Sequence, residues 1–144
     1  MKKIIFYVLI LLIALWIPVR KMDISNLEPI QAVGINKTGE QYVITTDTEA
    51  MGVGKTIKQA VESMKRECEK IVYLDTAKYL LVSEECTAAV SELSESLKNN
   101  VKVAIWDGLE ELKKAAQYMQ SHRIGVKIDE CFVDTKLPVV PVEN

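Results

Sequence analysis

EAMGVGKTIK, residues 49–58, decides how the rest of this chain is read. Gly54, Lys55 and Thr56 form the closing triplet of a phosphate-binding loop. A strand-like run, Tyr42-Val43-Ile44-Thr45, lies upstream, and a helical pattern follows at once. Farther on, residues 70–75 (KIVYLD) and 101–107 (VKVAIWD) are apolar runs, each ending in an aspartate of the kind that holds magnesium. Together these features would describe a small nucleotide hydrolase. The spacing rejects that reading. A phosphate loop needs its first glycine five positions before the second, and counting back from Gly54 arrives at Glu49. A carboxylate there would stand among backbone N–H groups meant for phosphate and would repel it. Gly52 and Gly54 are too close together to form the wide loop. The segment reads instead as a flexible turn ending in a helix N-terminus, with Thr56 as the cap.

Upstream of this turn, residues 31–35 and 41–46 alternate as strands, and NKTGE between them has the composition of a hairpin turn of three to five residues. Asn36-Lys37-Thr38 is also a glycosylation sequon, but turn geometry asks for the same residue types. Downstream, Ile57, Ala60, Val61, Met64 and Cys68 recur at helical spacing, with Lys58, Glu62, Lys65 and Arg66 on the other side. Residues 70–74 and 78–82 are short apolar runs around Asp75-Thr76-Ala77, the second being the stronger strand. Ser83 is placed to cap a helix that has Glu84 and Glu85 in its first turn. That helix would bury Cys86, Ala89, Val90, Leu93 and Leu97 and stop at Asn99-Asn100.

Residues 101–106 form a further strand, and Asp107-x-x-Glu110 is a capping box for a helix with the stripe Leu109, Leu112, Ala116 and Met119. Asp107 thereby has a structural role in place of a metal. Residues 121–133 read as a turn at Gly125 and a further short helix, and the prolines extend the tail. The order β-β-α-β-α-β-α gives the fold class: α/β, a mixed sheet with an N-terminal hairpin and alternating strands and helices. The length allows one domain, residues 31–144, after a linker at 22–30 punctuated by Pro29.

Residues 1–21 differ in kind. Lys2 and Lys3 precede fourteen uncharged apolar residues, 4–17, followed by Pro18, Val19, Arg20 and Lys21. This is a signal peptide or a short membrane anchor. No small-residue cleavage site and no lipidation cysteine follows the run, so an uncleaved single-pass anchor helix is expected, with the C-terminal domain outside the cytoplasm. Its apolar run extends to sixteen residues with Val19, at the short edge of the roughly 17–25 that span a bilayer. Lysines at one end can snorkel and Trp16 suits the interface at the other. This segment holds four basic and no acidic residues, so the remainder carries 14 basic against 20 acidic, a formal charge of −6. That balance argues against nucleic acid and broad adhesion to anionic lipid. Outside the cytoplasm there is also little nucleotide to bind.

The residues do not assemble a catalytic constellation. His122, the single histidine, lies in a polar Ser-His-Arg step with no metal-ligand spacing to a cysteine or carboxylate. Cys68, Cys86 and Cys131 are scattered through what read as buried helix faces. An oxidising setting would permit one disulfide with a thiol left over, and the spacing does not choose the pair. Cys131 follows Asp129 and Glu130, whose charges would raise its pKa and make it a poor nucleophile. Glu110, Glu111, Lys113 and Lys114 read as a solvated helix face. Catalytic, cofactor and metal residues are therefore each assigned as none, and a non-enzyme is expected. A thiol-dependent enzyme and an unrelated membrane-anchored binding domain are the alternatives.

Several local phrases bear on a family. LEPIQAVGINKTGEQYVITTDTE (27–49) resembles the opening of the spore-germination Ger(x)C proteins, germinant-receptor subunits whose first domain has an "ALGID" strand here. KTIKQAVESMKREC (55–68) is similar to the family's first helix. KIVYLDTAKYLLVSEEC (70–86) resembles its most distinctive phrase, with Asp75-Thr76-Ala77-Lys78 standing where members have Gly-His-x-Lys. LPVVPVEN (137–144) is like the proline-rich end of that first domain. Members are normally lipoproteins several hundred residues long. The resemblance covers residues 27–144 and implies a membrane-tethered accessory module, packing against germinant-receptor-like membrane subunits at the spore inner membrane. It brings no catalytic residues, cofactor, nucleotide or nucleic acid.

Overall fold

A computed structural model describes residues 4, 5, 7, 8, 27–108, 111–131 and 136–141. Ile4, Ile5, Tyr7 and Val8 are helical and exposed. The rest of the expected anchor lies outside the described residues, and among those described no helix is long and apolar enough to cross a membrane. From Leu27 onward the strands are β1 (Leu27–Pro29), β2 (Ala32–Thr38), β3 (Gln41–Thr46), β4 (Met51–Gly54), β5 (Ile71–Tyr73), β6 (Tyr79–Val82), β7 (Lys102–Ile105) and β8 (Val126–Lys127). The helices are α1 (Ile57–Glu67), α2 (Ala89–Ser94) and α3 (Leu112–His122), with 3₁₀ turns at Leu74–Thr76, Glu84–Cys86 and Ile128–Glu130. The chain is α/β, with a mixed six-stranded sheet in the order β4-β3-β2-β6-β7-β8. β2, β6 and β7 are parallel, while β3, β4 and β8 run antiparallel to their neighbours.

Burial follows position in the sheet. Leu80, Leu81 and Val82 of β6 are all fully buried because this central strand is covered on both faces. Alternation then sorts the side chains. Val33, Ile35, Ile44, Leu80, Val82 and Val103 pack with Ile57, Ala60, Val61 and Met64 of α1 and with Ala89, Val90 and Leu93 of α2. Ala32, Leu81, Ala104 and Trp106 pack on the other face with Leu112, Ala115, Ala116 and Met119 of α3. The helical stripes expected from spacing are thus core, except that Cys68 falls at the C-cap of α1 and is only half-buried and Leu109 lies outside the described residues.

Several expectations are corrected. The hairpin turn is only Gly39-Glu40, since Thr38 pairs with Gln41. Gly39 has φ +62, which glycine adopts without a Cβ penalty. Asn36 therefore lies in β2 instead of in the turn. The supposed linker contributes β1, which pairs in parallel with β5 as a separate two-stranded sheet. Thr76 ties this unit to the main sheet, its Oγ1 accepting from Ile30 N and donating to Ile30 O, both at 2.9 Å. The turn expected at residues 49–54 contains strand β4. Residues 126–127 form β8 ahead of a 3₁₀ turn, after Gly125 at φ +125.

Two capping expectations fail. Ser83 precedes a 3₁₀ turn and makes no side-chain cap bond, and α2 begins only at Ala89. The helix assigned to the Asp107 box begins at Leu112, with Glu111 at its N-cap and no side-chain cap bond. Gly108 stands at φ +78 directly after Asp107, a left-handed turn through which a right-handed helix cannot run. Glu110, the other half of the box, lies outside the described residues.

Candidate functional site

The phosphate-loop look-alike is accounted for by packing. Gly52 and Gly54 are two residues apart, so they present the same face of β4, and that face carries α1. A Cβ on Gly52 would be driven into the Ala60 carbonyl oxygen and stand 2.6 Å from Met64 Cβ. On Gly54 it would stand 2.5 Å from Ala60 N. The glycines let helix and strand backbones approach each other. Two N–H groups near the helix start are also engaged: Gln59 N donates to Thr56 Oγ1 at 3.2 Å, and Lys55 N donates to Gln59 Oε1 at 3.2 Å. Thr56 is the N-cap, as its position in the sequence predicts.

Asp75 and Asp107 do not meet. Asp75 precedes β6 and Asp107 follows β7, and these strands are parallel and in register. The two aspartates stand at opposite ends of strands about 10 Å long. Among the described residues no cluster of histidine, cysteine and carboxylates could hold a metal ion. His122 is exposed in the last turn of α3, stacked on Tyr118 with ring centroids 4.0 Å apart, its Nδ1 3.0 Å from Ser121 Oγ. Of the acidic and basic cluster, Glu111 and Lys114 approach to 3.9 Å in full exposure.

A concavity lies elsewhere. A cavity of about 630 Å³ opens at the carboxyl end of β7, between α2, the 3₁₀ turn before it and tail residues 136–139. Ala88, Val90, Ile105, Leu137 and Val139 give it apolar walls, and Glu84, Thr87, Ser91, Cys131 and Lys136 supply polar groups. Size and character match a small-ligand site, and the carboxyl ends of parallel strands are where open α/β sheets bind ligands. Its tail wall is fixed by Ile105 N donating to Pro138 O at 2.7 Å and Val140 N donating to Ile105 O at 2.9 Å.

The reactive groups of this cleft are turned to the backbone. Ser91 Oγ donates to Ala88 O at 2.9 Å and Thr87 Oγ1 to Glu84 O at 3.4 Å. Cys131 Sγ donates to Lys127 O at 3.3 Å. Burial pushes the Cys131 thiol above its ordinary pKa, and the Glu130 and Asp129 carboxylates add to the rise. Acidic neighbours were the expected cause, but burial is the larger one. Cys86 is buried and Cys68 and Cys131 are half-buried, and none of the three lies inside an α-helix.

Sequence reasoning missed most of this cleft, whose walls come from residues up to 55 positions apart. It also missed a polar pair on the opposite face. Ser83 Oγ and Trp106 Nε1 are buried without a hydrogen-bond partner among the described residues. They occupy the ladder position just beyond Val82↔Ile105, and Trp106 lies over Gly34, where a Cβ would stand 2.9 Å from its ring.

No protein-family model, curated protein or solved structure matches the chain.

Proposed function

We propose that this chain is a non-enzymatic, membrane-tethered binding module. Residues 1–21 form a single-pass anchor that holds the α/β domain outside the cytoplasm. The domain packs against membrane subunits of a germinant-receptor-like complex, as the resemblance to the first domain of Ger(x)C proteins implies. One observation supports a non-enzymatic role above others: in the cleft beside α2 the hydroxyls of Thr87 and Ser91 and the thiol of Cys131 all donate to backbone carbonyls. A thiol held protonated by burial and acidic neighbours is a weak nucleophile, and the single histidine is on α3 instead of in the cleft.

Affinity isolation of the tagged full chain from solubilised spore membranes tests this. Co-isolation of polytopic membrane subunits is the expected result. Recovery of the chain alone, or a turnover activity lost in Cys131→Ser, would overturn the proposal.

A further inference from the structure

Strand β5 turns Val72 into the core and leaves its other two residues, Ile71 and Tyr73, exposed at 51% and 40%. Its pairing with β1 is parallel, and the register sets Leu27 beside Ile71 and the exposed Pro29 beside Tyr73. The bonds between Thr76 and Ile30 hold this two-stranded unit against the main sheet, so its outer face is a fixed surface of the domain. Tyrosine, with an apolar ring and a polar tip, suits the boundary between hydrocarbon and water. Ile71 adds wholly apolar contact beside it.

The chain leads to this face. β1 starts at Leu27, and only residues 20–26 separate it from the apolar run that ends at Val19. A connection of that length reaches at most about 25 Å when fully extended. A domain of this size has a radius of gyration of about 13 Å and is therefore roughly 35 Å across. The tether is shorter than the domain is wide, and it enters at the Ile71 end of the β1–β5 unit. The other exposed large apolar residues described from residue 27 onward are Met51, Val53 and Val139, on β4 and the tail. None of them is on the strand beside the tether's entry.

We propose that the outer face of the β1–β5 unit, with Ile71 and Tyr73 at its centre, lies on the lipid bilayer and sets the orientation of the domain there. The inference rests on residues 1–21 being an anchor, and adds the surface that the anchor brings to the membrane. Lys70 is exposed beside Ile71, with Glu69 and Asp75 exposed on either side, so the surroundings form no basic patch. Lipid is therefore held by apolar and interfacial contact, independently of headgroup charge. Two side chains are too few to hold a free protein at a membrane. Tethering raises the effective concentration to roughly the millimolar range, where a weak contact suffices.

The test uses the protein's own tryptophans as controls. The full chain is reconstituted in phosphatidylcholine vesicles with and without bromine, a fluorescence quencher, on the upper acyl chains. Trp16 of the anchor should be quenched, and the buried Trp106 should not. Tyr73→Trp should add emission that is lost in the brominated vesicles, whereas emission added by Val139→Trp should be kept. Ile71→Asp introduced into the Tyr73→Trp chain should restore the lost emission. Quenching of Trp16 with the Tyr73→Trp emission kept would overturn the inference and leave the anchor standing, whether the face is then bare or covered by a second copy or another protein. Unquenched Trp16 would overturn the anchor and this seating with it. Quenching of Tyr73→Trp that survives Ile71→Asp, or equal quenching of Val139→Trp, would also overturn the inference.

Discussion

The β4–α1 unit and the cleft beside α2 differ in how they present themselves. The first carries Gly-Val-Gly-Lys-Thr, which looks like a site in sequence and proves to be a seat for a helix. The second has no motif, yet it holds a cavity of about 630 Å³, because β7, α2 and the tail converge at one sheet end. Glycines two apart on a strand and glycines around a phosphate serve the same physical need, close backbone approach. Only spacing and the partner brought close tell them apart. Concavity, by contrast, comes from topology and leaves no local trace.

Between the two regions runs β6, and the largest effect is expected there. Leu80 is fully buried beneath α1 and α2. Leu80→Asp should abolish folding, because an unpaired buried charge costs several kcal/mol, comparable with a small domain's whole stability. Loss of the cooperative transition in thermal circular dichroism would show it. A Leu80→Asp chain that still unfolds cooperatively would mean that the strand is not central to both regions.

The helix seat should come next. Gly52→Ala forces a methyl group against the Ala60 carbonyl and Met64, and overpacking of this kind costs about 1–3 kcal/mol. Chemical denaturation measures it. In the cleft, Ser91→Ala should change stability by no more than about 0.5 kcal/mol. Equal losses at the two positions would erase the distinction.

The caps sharpen it on a finer scale. Thr56→Ala should lose about 1 kcal/mol with the bond from Gln59 N. Ser83→Ala should lose nothing and can gain slightly, since its buried hydroxyl has no partner. The two residues look alike in sequence, and denaturation midpoints should separate them.

Smallest is the titration of Cys131. Its folded pKa is raised, so the folded state holds the thiol proton more tightly. The resulting stability is complete below the unfolded thiol's pKa of about 8.5 and is lost as pH rises through the higher folded value. Alkylation of Cys131 should accordingly lag a free thiol at pH 8, and wild type should lose slightly more stability than Cys131→Ser between pH 8 and 10.

Much of the sheet was legible because its central strands are long apolar runs. β3 was delimited correctly, β2, β6 and β7 were found to within a few residues, and the stripe and cap of α1 were read from spacing. β4 was not legible, since Met-Gly-Val-Gly lacks strand propensity and gains its conformation from β3 and α1. β1 was hidden by its length of three residues and by Pro29. The Asp107 box misled because nothing local announces that Gly108 turns left-handed. Of the cleft, Cys131 alone was weighed for chemistry. Thr87, Ile105 and Lys136 carry no signal that they share a wall.

The central claim is that the glycines before Lys55 seat a helix and do not cradle phosphate. Calorimetric titration of the full chain with ATP and magnesium tests it most directly, run beside the unfolding of Lys55→Ala at dilute concentration. A flat titration and an unchanged melting temperature for Lys55→Ala are predicted. A saturable heat abolished by Lys55→Ala would contradict the account.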